Sequence, residues 1–123
     1  MPRNMSFMLT TDQIRNKTKT VTRRVGWEFL KPGDVLNACV KCQGLKKGEK
    51  VERICQIRVL SVREEPLTAI THDEVKKEGF PNLGTWTFVA MFCREMKVDI
   101  TVKVNRIEFE YLPEREMNHG ENG

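Results

Sequence analysis

Long apolar runs are what this chain most plainly lacks. No stretch of its 123 residues approaches the roughly 18 consecutive apolar side chains that a membrane-spanning helix needs, which excludes that class. The N-terminal MPRNMSFML has a short apolar run but no small-residue cleavage site, so it does not read as a secretory signal, and a cytoplasmic location is expected. Histidine is scarce, with only His72 and His119. Cysteine offers one C-x-x-C, Cys39 and Cys42, but no second pair to complete a zinc site, and Cys55 and Cys93 stand apart. On a strand over 35–42, a separation of three points the Cys39 and Cys42 thiols to opposite faces. Buried or edge thiols in a reducing compartment are therefore expected in preference to a metal site or a disulfide. Neither metal nor cofactor is expected, and no internal repeat is visible.

What remains is a globular composition, 39% apolar and 31% charged, in a length that suits one domain with a real core. The net charge of +4 is only mildly basic, but its distribution is uneven. RNKTKTVTRRVGW, residues 15–27, holds five Lys or Arg and no acid, whereas acids gather at 64–65, 73–78 and 108–116. One positive surface is implied.

Local patterns place this segment. NMSFML (4–9) reads as a first strand, and Thr10-x-x-Gln13 as a capping box opening a helix over about 11–17. KTVTRRV (19–25) is β-branched at alternating positions and suits a strand. After the Lys31-Pro32-Gly33-Asp34 turn, VLNACVKC (35–42) and VERICQIRVLSV (51–62) form a hairpin across GLKKGEK, with Pro66 stopping the second strand. Thr71-x-x-Glu74 caps a short helix ended by Gly79. Thr85 is expected to cap a third helix, WTFVAMFCREM, whose nearly all-round apolarity predicts packing on two sides. In the final strand, 99–112, the apolar phase shifts between Val104 and Ile107, which predicts a β-bulge at Asn105-Arg106. The tail from 113 to 123 is polar and expected to fray. The order of elements predicts an α+β fold: a curled sheet or pseudo-barrel of five to six strands with two to three short helices on its rim.

In the basic segment, Thr22 and Arg24 share one face of the strand, and Lys19 sits on the turn before it. A hydroxyl, a guanidinium and an ammonium converging there would grip a phosphate, carbonyl or carboxylate. A solvated charged edge that discourages wrong pairing is the competing reading. Trp27, Phe80 and Trp86 are candidate platforms for a base, or else core residues. Glu78 stands at the C-terminal end of a helix, where the dipole disfavours a carboxylate. Lys19 or Arg24 would rationalise it, as would solvent exposure or pairing with Lys76 or Lys77.

These residues, in order, resemble a known family. K-T-V-T-R-R (19–24), G-W, K-P-G-D (31–34), E-G-F-P (78–81), F-V-A-M-F-C and V-N-R-I-E-F-E-Y-L together resemble the ASCH domain, in its small single-domain bacterial or phage type, over residues 4–112. The domain expected is 1–112. The family signature G-x-K-x-x-E-x-R maps its Lys onto Lys19 and its Arg onto Arg24, with Thr22 at the Glu position and Lys17 where Gly is usual. The resemblance implies a PUA-like barrel with a basic cleft, lined by that signature, for RNA or a modified nucleoside or nucleotide; Lys17, Arg23, Arg24, Trp27, Phe80 and Trp86 are the ligand-binding residues expected. One branch hydrolyses the N4-acetyl amide of cytidine without a metal, and carrying it over makes Lys19, Thr22 and Glu78 catalytic. Glu78 would then be a general base, a desolvated Lys19 a nucleophile or proton shuttle, and Thr22 or Arg24 the oxyanion donor. With no sustained apolar stripe, a monomer is expected.

Overall fold

Alternating apolar and polar residues build five strands: Arg3–Ser6 (β1), Val21–Arg24 (β2), Val35–Cys39 (β3), Arg53–Pro66 (β4) and Lys103–Tyr111 (β5). Three α-helices accompany them: Thr11–Arg15 (α1), His72–Lys77 (α2) and Thr85–Met96 (α3). The computed structural model describes residues 2–113, so the expected fraying of the tail falls, from residue 114 onward, outside the described residues. The sheet order is β1-β3-β4-β5-β2, with β1 parallel to β3 and every other pair antiparallel. It curls into a half-barrel with helices at the rim, the α+β architecture expected. Among the described residues no helix is long and apolar enough to cross a membrane.

Two apolar clusters explain the break of phase in β5. Ile107 and Phe109 face the barrel interior with Met5, Phe7, Ile14, Leu36, Ile57 and Val59. Val104 belongs to the opposite layer, with Leu67, Ile70, Val75, Phe88, Val89 and Phe92 under the helices. The strand simply buries one face at one end and the other face at the other. No bulge is needed at Asn105-Arg106, and β5 pairs with β2 in unbroken register there. The register shift lies instead in the partner strand, between Val59 and Ser61, leaving Leu60 unmatched and exposed.

Other local expectations are corrected by tertiary contacts. β1 ends at Ser6 rather than Leu9, because Phe7 turns into the core and a 3₁₀ turn follows over Met8–Thr10. Thr10 makes no side-chain cap, since Gln13, its presumed partner, reaches across to donate to the Gly79 carbonyl at 3.2 Å. The box at Thr71 does form, its hydroxyl accepting from the Glu74 amide at 3.3 Å. Thr85 is already helical, and Gly84 occupies the cap of α3. That helix packs on one side only: Phe88, Val89 and Phe92 are buried, while Trp86 is 66% and Met96 43% exposed.

Gly79 sets the approach of α2 to α1. Its φ of +103° lies in the left-handed region, and a Cβ there would come within 2.8 Å of Gln13 Cγ and 3.1 Å of Gln13 Cβ. Gly79→Ala should therefore cost about 1–3 kcal/mol through backbone strain and the displaced side chain, read as a lower midpoint in urea unfolding.

Candidate functional site

The turn between α1 and β2 carries the central residue, Lys19. Lys17 begins that turn with a φ of +63°, the conformation that glycine adopts freely, so the chain follows a glycine-like path at a cost of about 1–2 kcal/mol. The backbone of Lys19 is then held from three sides. Its amide donates to Gln13 O of α1 at 3.3 Å, its carbonyl accepts from the Tyr111 hydroxyl of β5 at 2.6 Å, and the next amide, Thr20, donates to Lys77 O of α2 at 2.8 Å. Burial raises the Tyr111 pKa, which keeps the phenol a donor.

From this turn the Lys19 side chain runs inward to the end of α2. Its Nζ donates to Glu78 Oε1 at 2.8 Å and to the Glu78 carbonyl at 2.7 Å, with both side chains only 4% exposed. Here the helix-end carboxylate has its cation. The other oxygen, Oε2, accepts from Arg23 Nη1 at 3.1 Å. Arg23 also donates to Glu65 Oε2 at 3.0 Å and to Glu74 Oε1 at 2.8 Å, and Arg106 holds both oxygens of Glu74. Adjacent in sequence, Arg24 points to the other face of β2. Its Nε donates to Thr22 Oγ1 at 3.1 Å, its Nη2 to the Ser6 carbonyl at 2.7 Å, and its guanidinium lies 4.7 Å from the Phe7 ring centre.

These surroundings move the proton equilibria. Desolvation is the largest influence on Lys19 and holds its pKa below the usual lysine value; the Glu78 carboxylate opposes that, and Arg24 and Arg23 add to it. Arg24 is brought down to about 10, chiefly by burial. For Arg23, burial works against the charge, but the surrounding carboxylates outweigh it and raise the pKa. The Glu74 carboxyl is drawn down to about 2, first by its hydrogen bond from Arg106 and then, against burial, by Arg23.

A cavity of about 220 Å³ opens beside the couple. Lys19, Thr22, Arg23, Arg24 and Glu78 form its polar wall, and Phe7, Phe80, Phe88, Met91 and Phe92 much of its apolar one. Of the residues singled out from sequence, the structure thus gathers Lys19, Thr22, Glu78, Arg23, Arg24 and Phe80. It leaves out three. Lys17 borders a separate depression with Arg15 and Arg53. Trp27 packs on the barrel core, 5.5 Å from the Phe29 ring, and Trp86 stands on the outer side of α3. Arg23 borders the cavity, but its side chain is 1% exposed and committed to three carboxylates.

Sequence reasoning passed over Phe7, Phe88 and Phe92 on the apolar wall, and Glu65, Glu74 and Arg106 behind the polar one. Arg106 had a signal, a charged residue inside an apolar strand. The thiols need a correction too. β3 ends at Cys39, so Cys42 is not on the strand and the opposite-face argument does not reach it; the Cys39 thiol donates to the Asn37 carbonyl at 3.5 Å. Burial first, then Cys42, raises the Cys39 pKa to about 11. Cys39, Cys42, Cys55 and Cys93 are free thiols.

The sheet order and the cleft between sheet and helices define a PUA-like pseudo-barrel. Within that class the fold is ASCH-like. An ASCH domain from Lactobacillus crispatus JV V101 superposes with a TM-score of 0.60 at 17% identity, over 89% of this chain and 78% of that one. Protein EF3133 of Enterococcus faecalis V583, of family DUF984, gives a TM-score of 0.61 at 14% identity, over 91% and 80%. The hypothetical protein PH0355 gives 0.57 at 19% identity, over 91% of this chain and all 100% of its own. At such identities the likeness is one of fold. No protein-family model and no curated protein matches the sequence.

Two outcomes are expected of the polar wall. Arg23→Met leaves three carboxylates short of a cation and should cost about 3–5 kcal/mol in chemical denaturation. Because the Glu74 pKa is depressed in the folded state, its contribution is present above the ordinary carboxylate range and is lost as pH falls toward about 2. Acid unfolding followed by circular dichroism should therefore be shallower in Glu74→Gln than in the wild type.

Proposed function

We propose that the cavity binds one modified nucleoside or nucleotide, free or presented by RNA. The observation that carries this reading is the buried Lys19–Glu78 couple on the wall of a hollow of about 220 Å³. That volume lies below the roughly 300–1,000 Å³ of pockets for drug-sized ligands, which favours a single base and its sugar over a run of nucleotides. The aromatic wall of Phe7, Phe80 and Phe88 supplies faces for the base, and Lys19 and Thr22 supply donors for its carbonyl edge. The chain would act as a monomer in the cytoplasm.

A second reading, hydrolysis of an N4-acylated cytidine, is favoured by one further observation: the Lys19 amine is held below the usual lysine pKa beside a carboxylate and a hydroxyl. Water would add to the acyl carbon, giving its proton to the neutral Lys19 amine, which Glu78 orients. The Thr22 hydroxyl accepts from Arg24 Nε, so its own O–H is available to the developing oxyanion. As the C–N bond breaks, Lys19 returns the proton to the exocyclic nitrogen, leaving cytidine and a carboxylic acid. Both oxygens of Glu78 already accept hydrogen bonds, one from Lys19 and one from Arg23, which supports Lys19 as the proton carrier and Glu78 as the group that positions it.

Incubation of the purified protein with a panel of acylated and modified nucleosides, read by mass spectrometry, separates the two. Hydrolysis predicts loss of the acyl group, with kcat/KM falling about 10²-fold or more in Lys19→Ala and Glu78→Gln. It also predicts a rate that rises with pH as Lys19 deprotonates, reaching its plateau below the range of an ordinary lysine. Binding alone predicts affinity without turnover, and affinity for RNA that falls with added salt. Full activity in both variants would remove this assignment.

A further inference from the structure

The charges around the cavity do not all cancel. With Lys19 protonated, the cations Lys19, Arg23 and Arg106 meet the carboxylates Glu65, Glu74 and Glu78, with Arg63 and Lys77 at the outer edge of that set, and Glu95, the other carboxylate on the cavity wall, meets Arg94 at 3.5 Å. Arg24 is left over. Glu78 acts on it only through space, and none of its hydrogen bonds goes to a carboxylate.

Geometry sharpens the point. A guanidinium has five N–H donors in a planar fork. Arg24 places one on Thr22 and one on the Ser6 carbonyl, and its face lies over Phe7, so its orientation is locked. Nη1 has no protein acceptor among the described residues, and the side chain borders the cavity. Tying Ser6 to Thr22 requires only a neutral donor. A partly buried guanidinium without a counter-charge is costly unless an anion completes it.

We propose that the cavity takes an anionic ligand, a nucleotide whose phosphate lies on the free fork of Arg24, rather than a neutral nucleoside. This rests on the nucleoside reading of the cavity and adds to it the class of ligand. Phosphate suits the fork because two parallel N–H donors match two of its oxygens.

Calorimetric titration at fixed low salt tests it, with N4-acetylcytidine, its 5′-monophosphate, its 3′-monophosphate and inorganic phosphate as probes. The readout is the ratio of monophosphate to nucleoside affinity. In the wild type one of the two monophosphates should bind about tenfold or more tightly than the nucleoside, the worth of a charge-assisted contact. In Arg24→Gln that ratio should fall to near unity. Equal affinities in the wild type, or a ratio that survives Arg24→Gln, overturns the proposal. Should Arg24→Gln not fold, Arg24→Lys carries the test, keeping a point charge without the fork. The ratio should then fall at least about threefold, and an unchanged ratio overturns the proposal. If neither nucleoside nor monophosphate binds, the nucleoside reading fails on its own. Inorganic phosphate then decides the anion site: binding that is lost in Arg24→Gln sustains it, and absence of binding overturns it.

Discussion

Arg23 is the interaction on which the rest depends. Its guanidinium joins Glu65 at the end of β4 to Glu74 on α2 and to Glu78, which caps the end of that helix, and so fixes the helix to the sheet through charge. Three carboxylates brought this close would repel one another and push α2 away without it. Arg106, opposite Arg23 in the β2–β5 register, brings a second guanidinium to Glu74, and Lys77 lies 3.4 Å from the same carboxylate. Only with that scaffold in place can Glu78 turn one oxygen to Lys19 while keeping the other occupied. The couple on the cavity wall is thus the cavity end of a network whose remainder is structural.

The two apolar clusters explain why the network lies where it does. The barrel interior closes around Phe7, Phe109 and their neighbours, and the helical layer closes around Phe88 and Val104. Strands β2 and β5 run between the two, each with a face toward either side. Charged residues can stand at that boundary because the clusters stop short of it, and their heads find one another instead of water. Desolvation there lowers the pKa of Lys19, which a surface turn would not do.

Much of this architecture was legible because alternation and turn chemistry are local. The hairpin of β3 and β4, the capped start of α2 and its stop at Gly79 all follow from short patterns. The placement of Glu78 at a helix end pointed to a cation, and Lys19 is found there together with Arg23. What stayed hidden was decided by distant partners. Gln13 looked like half of a capping box and is used across the fold at Gly79. Arg23 and Arg24 are indistinguishable by composition, yet successive residues on a strand face opposite ways, and one is neutralised while the other is not. Trp27 and Trp86 carry the ring type that a base would want but do not line this cavity, because burial depends on tertiary neighbours rather than residue type. The phase break in β5 imitated a bulge because a strand that changes its buried face writes the same pattern.

β1 and β2 are the two outer strands of the sheet, with no backbone ladder between them among the described residues; the link is the Arg24 side chain resting on the Ser6 carbonyl. Each of the two strands keeps its own ladder, β1 on β3 and β2 on β5, so that seam is held by a side chain and not by the backbone pairing that builds the rest of the sheet.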